Sequence, residues 1–392
     1  MAESIRDKVA VIGMGCTKFG ERWDKNAEDL MVDAVYEALE DAGIESKDIQ
    51  AAWLGTTGGS TGQPLAQAAK LEYIPITRVE NACATAADAF RNACYSVAAG
   101  VYDIVLATGV EKLKDSGMTG LAGGGGGAGT NISPPTPPPV QFALAAQRYA
   151  YQYGYKAEDL KKALARIAVK NHHNGSLNPK AHFQREITME QAITAPMIAY
   201  PLGLFDCCGV SDGSAAAIIT TPELAKHFRQ DYTLVKGLGL TVGGMQGRLQ
   251  SQYDFVHFEE NTTAARYAYQ QAGVKNPLKE IDLAEVHDCF SITELIICED
   301  LGWAPRGKAP EYILGGAFDL EGELAVNPDG GLKCFGHPIG ASGLRMMYEV
   351  YKQLQGKAGP RQRKNPGLGL AHSLGGTPGS FTCAVTIFGA RD

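Results

Sequence analysis

Four short stretches of this 392-residue chain hold side chains that could do chemistry together. The first is Asn81-Ala82-Cys83-Ala84-Thr85-Ala86-Ala87, where a cysteine stands at the predicted start of a helix. Free backbone N–H groups and the positive end of the helix dipole lower a thiol's pKa there, so a thiolate nucleophile is expected at Cys83. The small residues that follow leave room for a substrate to reach the sulfur. A cysteine so placed otherwise packs as a small hydrophobe.

The second stretch runs from Gly330 to Gly343 and contains Gly336-His337-Pro338. Pro338 suits the first turn of a helix and holds the preceding residue extended, so His337 is expected at the helix lip, with glycines around it. Imidazole is the natural base for a thiol. The third stretch is Glu285-Val286-His287-Asp288-Cys289-Phe290-Ser291, directly after a predicted strand. His287 and Cys289 would then face a crevice at the sheet's carboxyl edge. A neutral histidine there can donate to a thioester oxygen, and a second cysteine can exchange a proton with carbon. The fourth is Ala371-His372-Ser373-Leu374-Gly375-Gly376-Thr377, read as a glycine-rich turn after the last core strand.

The elements that must position these groups repeat along the chain. Residues 28–42 carry apolar stripes at helical spacing (Leu30, Ala34, Ala38, Ala42 and Met31, Val35, Leu39) and stop at Gly43, before a strand near Ile49–Leu54. Residues 262–272 repeat the plan with Ala264, Ala268 and Ala272, stop at Gly273, and lead to the strand Asp282–Val286. A second pair follows in the same order. Cys83 opens a small-residue helix reaching Gly100, then a strand over Asp103–Ala107; His337 opens a helix reaching Gly356, then a strand over Leu368–Ala371. Two pairs in one order predict two similar α/β halves, residues 1–232 and 233–392, with wound sheets covered by helices. If the halves pack about a two-fold, the helices led by Cys83 and His337 are mates whose N-termini converge.

Residues from about 115 to 205 break the rhythm with Gly123 to Gly127 and Pro134-Pro135-Thr136-Pro137-Pro138-Pro139. Such runs do not fit a central strand or helix, so an inserted loop domain over one half is expected, of the kind that shapes a substrate pocket. Within it, Lys161, Lys162, Arg166 and Lys170 could form a phosphate patch, although such a row is more often a solvated helix face. The strand Asp212–Thr220 then completes the first half.

Composition narrows the classes. The formal charge of -7 argues against a nucleic-acid partner, which needs a basic face. Nine cysteines without a CxxC pair read as reduced thiols of a cytoplasmic protein, with no disulfide framework and no metal site. No apolar run is long enough to span a membrane, and the ending Gly-Ala-Arg-Asp is not a peroxisomal address.

In family order, the four stretches resemble the thiolase superfamily over essentially the whole chain. The His287–Phe290 form, His-Asp-Cys-Phe, is similar to the sterol-carrier-protein type; other thiolases usually carry Asn-Glu-Ala-Phe there. The resemblance implies a thiolase fold of five αβαβα layers, a homodimer, and coenzyme A as a substrate. It implies that Cys83 carries the acyl group, that His337 activates it and later supports a thioester oxyanion, and that His287 with a water forms the other oxyanion hole. The Cys83 N–H and a glycine of the His372, Gly375, Gly376 segment would add donors. Most thiolases place a second catalytic cysteine in that segment, where this chain reads His372-Ser373-Leu374; in the sterol-carrier-type relatives the His-Asp-Cys-Phe loop supplies it, so the resemblance implies the acid/base role for Cys289. The glycine and proline runs suggest a remodelled pocket for a bulky, branched or aromatic acyl group, such as benzoylsuccinyl-CoA. Some relatives of this type assemble with a small zinc-ribbon/OB-fold partner. Three other readings stay open: a thiolase-fold aldolase without an acyl-enzyme, an acetoacetyl-CoA-type thiolase in a complex, and a non-catalytic acyl-CoA-binding subunit. A ketoacyl synthase fits less well, because its Cys-His-Asn pattern has no counterpart at His287.

Overall fold

A computed structural model describes residues 4–116 and 137–390. The strands of its main sheet, in chain order, are β1 (Ala10–Cys16), β2 (Ala51–Gly55), β3 (Ile76–Val79), β4 (Ile104–Glu111), β5 (Gly213–Thr220), β6 (Thr233–Val242), β7 (Leu283–Glu285), β8 (Ala325–Val326), β9 (Leu368–Thr377) and β10 (Ser380–Gly389). They lie in the order β3-β2-β4-β5-β1-β6-β10-β9-β7-β8. Read outward from the centre, both halves follow one plan. In each, the first strand pairs antiparallel with the last, the last pairs antiparallel with the fourth, and the remaining contacts are parallel. A short β1–β6 pairing, Ala10 with Leu234 and Val11 with Thr233, joins the two sheets at their inner edges.

Four helices supply the helical layers. α1 (Ala27–Ala42) covers β1 and β5 from outside. Asn26 caps it, accepting from the Asp29 N–H at 2.8 Å while the Asp29 carboxylate accepts from the Asn26 N–H at 3.1 Å. The residues of both predicted stripes are buried, and Gly43 ends the helix at φ +71°. α5 (Glu259–Ala272) covers β6 and β10 in the same way, with Ala264, Ala268 and Ala272 inward and Gly273 at φ +77°. Between the sheets lie α2 (Thr85–Ala98) and α7 (Ser342–Leu354), which touch one another and strands of both halves. Their approach is close: a Cβ on Gly343 would sit 2.8 Å from the Ala87 nitrogen, so the glycine lets the two helix starts meet. The order from outside to outside is α1, first sheet, α2 with α7, second sheet, α5.

Part of the expected insertion lies outside the described residues, including Gly123 to Gly127 and Pro134 to Thr136. The rest is largely helical. α3 (Pro138–Tyr153) and α4 (Ala157–Ser176) lead to a short helix, Met189–Thr194, and a small hairpin, and α4 packs on α6 (Ser291–Asp300) of the second half. No helix among the described residues is long and apolar enough to cross a membrane.

Candidate active site

Cys83 precedes α2 by two residues, in a loop tied tightly to the helix start. The Asn81 N–H donates to Thr85 Oγ1 at 2.8 Å, that hydroxyl donates to the Ala82 carbonyl at 2.5 Å, and Asn81 Nδ2 reaches Asp88 at 2.6 Å. Ala82 holds φ +48°, a left-handed conformation unusual for a residue with a side chain. This kink puts Cys83 at the junction of the two halves.

His337 arrives from the other half, and its helix begins later than expected. Pro338 does not open α7; its carbonyl instead accepts from the Ala341 and Ser342 N–H groups at 2.9 and 3.0 Å, and α7 starts at Ser342. The segment must first turn so that the Gly340 N–H can reach Glu111 of β4 at 3.0 Å. Upstream, the Asp288 carboxylate gathers the Leu332 and Lys333 N–H groups at 2.5 and 3.3 Å, where Gly331 holds φ +63°. A Cβ there would strike that carboxylate. The result is that His337 Nε2 lies 3.2 Å from Cys83 Sγ.

The tautomer follows from the next shell. The Ser342 hydroxyl donates to the Pro338 carbonyl at 3.0 Å, so its oxygen is left to accept from His337 Nδ1–H at 2.7 Å. Nε2 then carries the lone pair that faces the sulfur. Neither Ser342 nor Asp288 received a role from the sequence. The signal for Ser342 was its position, a hydroxyl one helical turn after the carbonyl of Pro338.

His287 follows β7 and stands edge-on to His337, with ring centres 5.1 Å apart. One ligand-type atom each of Cys83, His287 and His337 fall within 4.8 Å of one another, and His287 Nδ1 is buried without a hydrogen-bond partner. Cys289 is buried nearby, 3.6 Å from Thr293 Oγ1. The His372 segment is not a turn. His372 to Gly376 form the later part of β9, and the turn to β10 comes at Pro378-Gly379. Gly375 abuts the nucleophile loop, since a Cβ on it would lie 2.7 Å from the Asn81 oxygen and 2.8 Å from the Cys83 nitrogen. His372 is buried and holds Asn261 at 3.0 Å. Gly376 sits at φ +110° over the Ser380 carbonyl.

Electrostatics correct one expectation. Burial, reinforced by Cys289 and Glu111, pushes the Cys83 thiol above its ordinary range, against its backbone hydrogen bonding. The resting group is a thiol and not the thiolate that the helix-end argument predicts: desolvation outweighs the dipole. Burial likewise pushes the Cys289 thiol up to about 12. Burial, with Arg345 adding to it, pushes His337 down to about 3. Burial drives His287 well below its ordinary range, and the neighbouring His337 and His372 push in the same direction. The pair at rest is thus a neutral thiol and a neutral imidazole.

The basic row in the insertion makes no phosphate patch. Lys161 pairs with Asp206, Lys162 with Asp159, Arg166 with Asp319, and the buried Lys170 with Glu294 and the Val326 carbonyl. The acidic side chains that neutralise three of them come from remote parts of the sequence.

Comparison with known proteins agrees with this arrangement. Residues 9–223 match the family model "Thiolase, N-terminal domain", and residues 244–389 match "Thiolase C-terminal domain-like". The acetyl-CoA acetyltransferase of Methanothermobacter thermautotrophicus is 38% identical over 97% of this chain and 99% of its own length. The benzoylsuccinyl-CoA thiolase subunit BbsB of Thauera aromatica is 31% identical, with 94% of each chain covered. Sterol carrier protein 2 of Gallus gallus is 32% identical over 95% of this chain and 71% of its own length. Among solved structures, the Ltp2-ChsH2(DUF35) aldolase superposes with a TM-score of 0.86 over 99% of both chains at 26% identity. A repeated five-layer architecture, two family models that together span most of the sequence, and relatives matched nearly end to end agree: this chain belongs to the thiolase superfamily, in its sterol-carrier-protein-type branch, as an acyltransferase.

Proposed function

We propose that the chain makes or cleaves 3-ketoacyl-CoA thioesters through an acyl group carried on Cys83. The observation that carries this reading is the 3.2 Å approach of His337 Nε2 to Cys83 Sγ, with Nδ1 committed to Ser342. The thiol proton moves to Nε2 as sulfur attacks the substrate carbonyl, so the imidazolium forms only when charge develops. In the condensing direction Cys83 takes the acyl group, and Cys289 gives its proton to the departing coenzyme A sulfur and is left as a thiolate. That thiolate then takes a proton from the α-carbon of a second acyl-CoA, whose carbon attacks the acyl-enzyme, and the His337 imidazolium returns its proton to the released Cys83 sulfur. In the cleaving direction the neutral thiol of Cys289 returns that proton to the departing enolate. The unpartnered His287 suits one oxyanion, and the Cys83 N–H beside Gly375 suits the other. His372 and Gly376 belong to the strand that carries Gly375 and have no direct part in these steps.

For the substrate, a short acyl group of the acetoacetyl-CoA type is the first choice, because the relative at 38% identity is an acetyl-CoA acetyltransferase. A bulkier or aromatic 3-ketoacyl-CoA, such as benzoylsuccinyl-CoA, is the second, supported by the likeness to BbsB. That protein is described as a subunit, and the superposed aldolase carries a second component in its name, which supports a partner subunit; we assign that partner as a small zinc-ribbon/OB-fold protein bound beside a homodimer. The contact between Cys83 and His337 favours acyl transfer over retro-aldol cleavage, which needs no acyl-enzyme. The test is mass spectrometry of the full chain after brief exposure to acetyl-CoA and to acetoacetyl-CoA. An acyl adduct on Cys83, and loss of turnover in Cys83→Ala, is the expected result. Turnover that survives Cys83→Ala overturns the scheme.

A further inference from the structure

We propose that Cys83, His287 and His337 form a site for a soft divalent cation, with Zn²⁺ the fitting ion, whose occupancy blocks acyl transfer. Their candidate ligand atoms lie within 4.8 Å of one another, two of them 3.2 Å apart. Zinc binds thiolate at about 2.3 Å and imidazole at about 2.0–2.1 Å, so a tetrahedral ion separates its ligands by roughly 3.4–3.6 Å. The cluster is near that spacing before any metal arrives, and shifts of about an ångström complete it.

Three further features point the same way. The Ser342 contact fixes the Nδ1–H of His337 and leaves the Nε2 lone pair toward the sulfur, which is how a ligating histidine is usually held. His287 Nδ1 is buried with no hydrogen-bond partner, so the ring lacks a contact that would compete for it. The donor set is one sulfur and two imidazoles with no carboxylate, which selects zinc and its soft neighbours over magnesium or calcium. Three protein ligands leave a fourth position for water. On binding, the S–H bond of Cys83 breaks, a sulfur–zinc bond forms, and the proton passes to solvent. No electrons change hands.

Occupancy needs only these three side chains, whereas the inhibition rests on the role proposed for Cys83. The test separates the two. Co²⁺ added to the reduced full chain should give a thiolate-to-cobalt charge-transfer band in the near ultraviolet. The band should vanish in Cys83→Ser and persist in Cys207→Ser and Cys289→Ser. Zn²⁺ should abolish acyl transfer at about one ion per chain, and a chelator should restore it. His287→Ala should weaken metal binding by at least about tenfold, the scale at which even supporting contacts matter. A band that survives Cys83→Ser, or metal affinity unchanged in both Cys83→Ser and His287→Ala, overturns the site. Metal held by Cys83 with turnover intact supports the site and overturns the role of Cys83 as nucleophile.

Discussion

The Ser342 hydroxyl, the first residue of α7, lies 2.7 Å from His337 Nδ1 and in turn donates to the Pro338 carbonyl. One helix start thereby decides which imidazole nitrogen faces Cys83. Ser342→Ala removes the acceptor and lets the ring take either tautomer. The expected outcome is a fall in kcat of about 10²-fold, the lower end of what general acid–base groups contribute, with KM little changed. Ser342→Thr should restore most of it. Unchanged kcat in Ser342→Ala would show that the hydroxyl does not orient the base.

A resting thiol at Cys83 has a kinetic signature. Burial holds the thiol above its ordinary range, so alkylation by iodoacetamide should still be accelerating as pH rises through 9. A rate that levels off below neutrality would show a preformed thiolate–imidazolium pair instead.

Gly375 is irreplaceable for steric reasons. Its added Cβ would lie under 3.0 Å from both the Asn81 oxygen and the Cys83 nitrogen, backbone atoms that cannot swing aside. Gly375→Ala should cost about 1–3 kcal/mol in stability through overpacking. It should also lower turnover, because the loop that carries Cys83 must move. Thermal unfolding and steady-state assays read the two effects separately; a variant normal in both sinks the packing argument.

Buried neutral histidines make the fold sensitive to acid. His337 and His372 drop from an ordinary 6.5 to about 3 in the folded chain. Between those values the unfolded chain binds protons that the folded chain refuses, so stability is full above about pH 6.5 and falls as pH drops toward 3. Each such group contributes a slope of up to about 1.4 kcal/mol per pH unit in that window. Denaturant unfolding at pH 7.5 and 5.5 should show the loss, and His372→Asn should flatten the difference. An identical pH slope in that variant would mean that His372 is not a source of it.

Much of this was legible in the sequence. The stripes of residues 28–42 and 262–272, each closed by glycine, identified α1 and α5 because helical periodicity and a left-handed cap are local properties. The ordered repetition pointed to two halves, and the motifs around Cys83, His287 and His337 named the side chains that now stand together. Tertiary structure decided what depends on packing between distant segments. The charge state of Cys83 departs from the sequence expectation because dipole and free N–H groups can be read from neighbours in sequence, whereas desolvation cannot. The start of α7 moved to Ser342 because Gly340 must reach Glu111, a residue more than two hundred positions earlier. The basic row of α4 was neutralised mainly by remote acids, at Asp206, Glu294 and Asp319. Sequence by itself determined which groups could react and the helices and strands that carry them, since those follow from residue type and short-range spacing. Only the folded chain decided their protonation, their tautomer and the 3.2 Å between sulfur and imidazole, because each is set by atoms that become neighbours when the halves close.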